Sequence, residues 1–143
     1  EIDGTRGENT RKAVAAYRHA TSSAGDDTQI HTHLCYSNAS EVIAAIDGLD
    51  ADVTTIESAR SGGRILSELD GFGRGLGPGV YDIHSPRVPG ADEVGDLLDA
   101  VLQVVPVERV WVNPDCGLKT RTYPQVEAAL TNLVTAARQR RTP

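Results

Sequence analysis

Apolar positions along this chain switch repeatedly between a spacing of two and a spacing of three to four, which predicts strands alternating with helices. Val14 and Tyr17 lie on a modest first helix over 9–20, followed by a polar turn over 21–27. A strand is predicted at 28–34, then a helix over 40–48 with Val42, Ile43, Ile46 and Leu49 at helical spacing. The β-branched run 52–56 reads as a buried parallel strand. A glycine-rich link leads to a short helix carrying Ile65, Leu66 and Leu69. Gly77-Pro78-Gly79 is read as a turn into a third strand at 79–83. Pro89 then opens a helix with Val94, Leu97, Leu98, Val101, Leu102 and Val105 along one face. A fourth strand is expected at 109–112. The last helix starts near Pro124 and buries Val126, Ala129, Leu130, Leu133 and Val134. Arg138, Arg140 and Arg141 close it, where cations suit the helix dipole.

Short links between strands and helices specify βα units on a parallel sheet, an α/β fold. Four such units are half of a (β/α)8 TIM-type barrel, which takes about 250 residues in full. Polar groups gather at every strand end, which favours a barrel portion over a complete open sheet. Four strands leave two edges and an inner face uncovered. The chain is therefore expected to need a missing half-barrel, a second chain, or a local rearrangement.

The 143 residues suffice for one domain with a core, and the apolar share of 39% is ordinary for a globular protein. A net charge of −6 and only six aromatic residues (one Trp, one Phe, four Tyr) argue against a nucleic-acid partner. No apolar run is long enough for a membrane span, and no signal-peptide pattern is present. These features fit a cytoplasmic protein. The sequence contains no methionine, even at position 1, so the chain is expected to begin inside a longer or processed product.

Only two cysteines occur, and each follows the apolar end of a predicted strand. Cys35 closes Ile30-His31-Thr32-His33-Leu34-Cys35, and Cys116 ends Asn113-Pro114-Asp115-Cys116. His33 precedes Cys35 by two positions, so both side chains point to one side of an extended segment. Glu57 ends the second strand. Thiolate, imidazole and carboxylate are the usual ligands of zinc, and strand carboxyl ends are where α/β folds carry chemistry. Each residue also has a plainer role: a strand-end Cys is often a small buried hydrophobe, and Glu57 can pair with Arg60 or Arg64. His31 lies deeper in its strand and suits a supporting role or a spare ligand. His19, on the first helix, is expected to be solvated. Stripped of metal, Cys35 and Cys116 can form a disulfide. His84, in Tyr81-Asp82-Ile83-His84-Ser85-Pro86, is either a proton donor or base, imidazole being suited to both at neutral pH, or a loop histidine bonded only locally. Asp82 can orient a neighbour, and Asp115 can support Cys116.

Four longer segments, DDTQIHTHLCYS (26–37), LDADVTTIESARS (49–61), GPGVYDIHSP (77–86) and VWVNPDCGLKTR (110–121), together resemble the carboxyl-terminal end of cobalamin-independent methionine synthase. The likeness covers about 26–140, in one order, whereas residues 1–25 match poorly. It divides the chain into an amino-terminal helix and linker, 1–25, and a half-barrel of a catalytic domain, 26–143. The resemblance implies zinc held by His33, Cys35, Glu57 and Cys116, and a proton donor at His84. It implies methyl transfer from 5-methyltetrahydrofolate polyglutamate to homocysteine, giving methionine. Zinc would keep the homocysteine sulfur nucleophilic near neutral pH, and an acid would assist departure of the folate nitrogen. The competing readings are a non-catalytic, truncated zinc-binding fragment and a related zinc methyltransferase acting on another thiol.

Overall fold

Parallel pairing of short strands builds one curved sheet in the computed structural model, which describes residues 2–35, 43–60, 62, 64–69 and 71–141. The order is α1 (Ile2–Thr21), β1 (His31–Leu34), α2 (Ile43–Gly48), β2 (Val53–Ile56), β3 (Gly75–Pro78), α3 (Ala91–Leu102) and α4 (Tyr123–Arg141). A 3-10 turn, Arg64–Glu68, follows β2. β1 pairs with β2 and β2 with β3, both in parallel, with His31 opposite Val53 and Val53 opposite Gly75. The expected α/β fold of parallel βα units is present, in the arrangement of one arc of a barrel. Residues 40–42 of the predicted second helix lie outside the described residues, as does the Ile65 side chain.

Alternation across the strands separates two faces. Outward residues Leu34, Ile56 and Leu76 pack with Ile46, Phe72 and Val101 in one apolar cluster. A second cluster joins Val80, Tyr81 and Ile83 to Val94 and Leu98 of α3 and Ala129, Leu133 and Ala136 of α4. Inward positions on β3 are glycines. A Cβ on Gly75 would meet Val53 and Trp111, one on Gly77 would meet Thr55 and Asn113, and one on Gly79 would meet Asp115. The empty column lets side chains from the strands on either side fill the concave face, as alternate strands do in barrel layers. His31 of β1 and Trp111 even meet across it, ring centroids 4.8 Å apart and edge to face.

The third and fourth strands differ from expectation. β3 is Gly75–Pro78, not 79–83, so Gly77-Pro78-Gly79 is strand end and bridge rather than a turn. Val80, Tyr81 and Ile83 are buried beyond the strand, against α3 and α4. Their hydrophobicity marks the core contact, not the ladder. The segment predicted as a fourth strand, 109–112, forms only isolated parallel bridges, Leu76 to Val110 and Gly79 to Asn113. Trp111 N–H donates to the Leu76 carbonyl at 2.8 Å and Val80 N–H to that of Asn113 at 2.9 Å. Between these bonds stands Pro78, which has no N–H to continue the ladder.

Helix bounds shift more mildly. α1 starts seven residues earlier than its apolar pattern indicated, at residue 2 against 9. β1 begins at His31, because Ile30 N–H instead donates to the Asp52 carboxylate at 2.7 Å. On α4, Ala129 and Leu133 are buried as expected, but Leu130 is 42% and Val134 47% exposed. α4 packs on α3 along one line only, and Leu130 and Val134 fall beside it. With Val107, Trp111 and Leu102 they line an apolar groove of about 610 Å³ next to the fourth-strand segment.

Candidate metal centre

β1 ends by sending His33 and Cys35 to the same side, and the segment after the Asn113 bridge brings Cys116 to meet them. The ligand atoms of His33, Cys35 and Cys116 all lie within 4.8 Å of one another. Cys35 Sγ is 3.3 Å from Cys116 Sγ and 3.2 Å from His33 Nε2. Both cysteines are free thiols. Two sulfurs and one imidazole nitrogen converging from three chain positions make a donor set for a borderline-soft divalent cation.

Thr55, on β2 opposite His33, sets the imidazole's orientation. Its hydroxyl donates to the Thr32 carbonyl at 3.2 Å, so its oxygen accepts from His33 Nδ1–H at 2.7 Å. That leaves the Nε2 lone pair facing the sulfurs, an arrangement common around metal-bound histidine. Sequence reasoning did not single out Thr55. The available signal was its position two residues before Glu57, on the same face of a strand.

The electrostatics also fit a cation. The Cys35 thiol is pushed up to about 11, first by its hydrogen bond with Cys116, then by burial and by the negative charges of Cys116 and Glu57. Glu57 is close enough to raise the Cys35 thiol, yet it is not among the three mutually close ligand residues. His84 stands exposed on the turn after β3, its backbone N–H donating to Asp82 Oδ1 at 2.9 Å, and is likewise outside that trio. Asp82 thus orients the His84 backbone rather than a ring. His31 bonds Gln29 through Nε2 at 2.8 Å and touches Trp111, so it is not part of the trio either. His19 is exposed on α1.

Asp115 is 1% exposed and deep behind the trio. Its Oδ1 accepts from the Ser58 and Ala59 N–H groups, both at 2.9 Å, and its Oδ2 from Arg60 N–H at 3.0 Å. Ser58 Oγ donates to the Gly79 carbonyl at 2.7 Å.

A candidate cation site of two thiols and an imidazole, on the carboxyl-end rim of a parallel α/β sheet, is the arrangement of a barrel-type catalytic domain. The chain belongs to the cobalamin-independent synthase family, whose catalytic-domain sequence model matches residues 4–139. It is 62% identical over 134 residues to the 5-methyltetrahydropteroyltriglutamate–homocysteine methyltransferase of Mycobacterium tuberculosis, which covers 92% of this chain. The protein of the same name from Rhodococcus jostii is 62% identical over 128 residues, 88% of this chain. The chain spans only 18% and 17% of the lengths of these two relatives. A B12-independent methionine synthase from Shewanella sp. W3-18-1, solved with selenomethionine, shares the fold. Its TM-score is 0.65 at 15% identity, over 88% of this chain and 41% of that one.

Proposed function

We propose that this chain is the metal-bearing portion of a zinc-dependent methyltransferase that makes methionine from homocysteine. The methyl donor is 5-methyltetrahydropteroyltriglutamate, the folate in the relatives' names. Residues 26–143 serve as the catalytic half-barrel and residues 1–25 as the helix and linker before it. One observation carries the reading: thiols 81 positions apart in sequence stand 3.3 Å apart with an imidazole beside them.

His33 Nε2, Cys35 Sγ and Cys116 Sγ would hold zinc, with Glu57 as the fourth donor from the end of β2. Bound zinc supplies positive charge that lowers the pKa of a substrate thiol. Thr55 keeps the His33 lone pair directed at the site. Cys35 and Cys116 give up their protons on loading. His84, on the same rim, donates a proton to folate N5 as the N5–methyl bond breaks and the sulfur–methyl bond forms. Orienting sulfur, methyl and nitrogen in line supplies much of the remaining acceleration. Two reduced cysteines support a cytoplasmic setting. Among the described residues no helix is long and apolar enough to cross a membrane.

The open sheet edges and the exposed Leu130 and Val134 support a requirement for the complementary half of the barrel. Zinc analysis of the purified chain tests the metal. One chelator-removable zinc per chain is expected, with none after Cys116→Ser; a chain that stays metal-free with all four donors intact refutes the reading. Methyl transfer is expected only when the complementary half is added. Zinc binding without turnover in that mixture supports the non-catalytic alternative.

A further inference from the structure

We propose that Asp115 is a positioning residue that fixes the distance between the two segments bearing Glu57 and Cys116, and so sets the geometry of the metal site. The inference rests on the zinc-site reading above. Asp115 immediately precedes Cys116, and its carboxylate takes three consecutive backbone N–H groups, from Ser58, Ala59 and Arg60, which immediately follow Glu57. A single side chain therefore spans the gap between the ends of β2 and the fourth-strand segment. The β3 end is tied into the same knot, through Ser58 Oγ to the Gly79 carbonyl and Gly79 N–H to the Ile56 carbonyl at 2.8 Å. Asp115 N–H completes it by donating to the Tyr81 carbonyl at 2.9 Å.

The brace is built at a position where the sheet makes room for it. Gly79 lies directly under the carboxylate, and a Cβ there would fall 2.0 Å from Asp115 Oδ1. Among the described residues no ion pair involves Asp115, and three backbone N–H groups hold this buried carboxylate. Three N–H donors in succession form a concave anion cradle. Such a cradle accepts a carboxylate and rejects an amide at one of its corners, because Asn presents a donor where Arg60 N–H needs an acceptor. The loss of that single bond tilts the 58–60 segment, and with it the adjoining Glu57, relative to Cys116.

The test uses the full chain with zinc and with cobalt(II) as a spectroscopic probe. Asp115→Asn is expected to weaken zinc binding about 10- to 100-fold, the usual effect of disturbing groups that orient metal ligands. It is also expected to change the cobalt ligand-field bands, while the sulfur-to-cobalt charge-transfer band persists because both thiolates remain. Val105→Ala, a core truncation in the apolar cluster of Ile46, Phe72 and Val101, which includes none of the proposed donors, serves as the stability control and should leave zinc affinity and both band sets unchanged. Three results overturn the proposal: Asp115→Asn with wild-type zinc affinity and cobalt spectrum, an equal loss of affinity in Val105→Ala, or an Asp115→Asn chain that stays unfolded with and without zinc. A wild-type chain that binds neither zinc nor cobalt refutes instead the zinc reading on which the inference rests.

Discussion

Placing a methyl group on Gly77 probes the glycine column on which the inner face depends. The Cβ of Gly77→Ala would lie 2.3 Å from Asn113 Oδ1 and 2.4 Å from Thr55 Cγ2. Relaxed contacts between such atoms need about 3.5 Å, so each neighbour must retreat by roughly 1 Å. Strand spacing near 4.8 Å is held by the ladder, and the side chains must therefore yield instead. Rotating Thr55 breaks its bond to His33 Nδ1. Overpacking costs about 1–3 kcal/mol and the lost hydrogen bond about 1 kcal/mol, for a total of about 2–4 kcal/mol. At roughly 3–4 °C per kcal/mol for a chain this size, the melting temperature should fall by about 6–16 °C. Circular dichroism melts of the metal-free protein measure it, with Gly73→Ala as control, because nothing lies within 4 Å of its added Cβ. Adding Thr55→Ser, which removes Cγ2 but keeps the hydroxyl, should recover about 1 kcal/mol. A Gly77→Ala protein that melts within about 1 °C of wild type would refute the filled-layer reasoning.

Three further outcomes follow from the same geometry. Thr55→Val should lower zinc affinity about 10- to 100-fold while Thr55→Ser retains it, read by competition with a chromogenic chelator; equal affinities would remove Thr55 from the site. The Cys35 thiol, ordinarily at 9.0 and here pushed up to about 11, holds its proton more tightly folded than unfolded. Its contribution to stability is therefore complete below about pH 9 and is lost as pH rises to about 11. Denaturation midpoints of the metal-free protein should show this decline, and the same decline in Cys35→Ser would assign it elsewhere. His84→Asn should leave zinc content unchanged and slow methyl transfer by about 10²- to 10⁴-fold in the complete assembly, and unchanged turnover would end its role as acid.

The candidate site was more legible in the sequence than the sheet that carries it. His33 and Cys35 announced a shared face through their spacing of two, and Cys116 marked a comparable strand-end position. Thr55 stayed hidden because a strand threonine is ordinary until its hydroxyl partners are known. β3 was misplaced because its inward positions, Gly75 and Gly77, and the bridge residue Gly79 just past its end carry no side chains, while hydrophobicity peaks beyond at Val80 and Tyr81. Glycines disfavour a strand by local propensity, and here neighbouring side chains required them. The fourth-strand segment was over-read, since Pro78 on the facing strand, not its own residues, interrupts the pairing. On α4 the apolar repeat was wider than the contact with α3, and Leu130 and Val134 therefore lie beside it.

The close approach of Cys35 and Cys116 also bears on how the protein must be handled. A resident cation would shield both sulfurs, so removing it with a chelator in air exposes a pair needing only about 1.3 Å of further approach to reach bonding distance. Oxygen or a disulfide reagent then staples the first rim position to the last. Re-supplied zinc finds no thiolates to bind until a reductant reopens the cross-link.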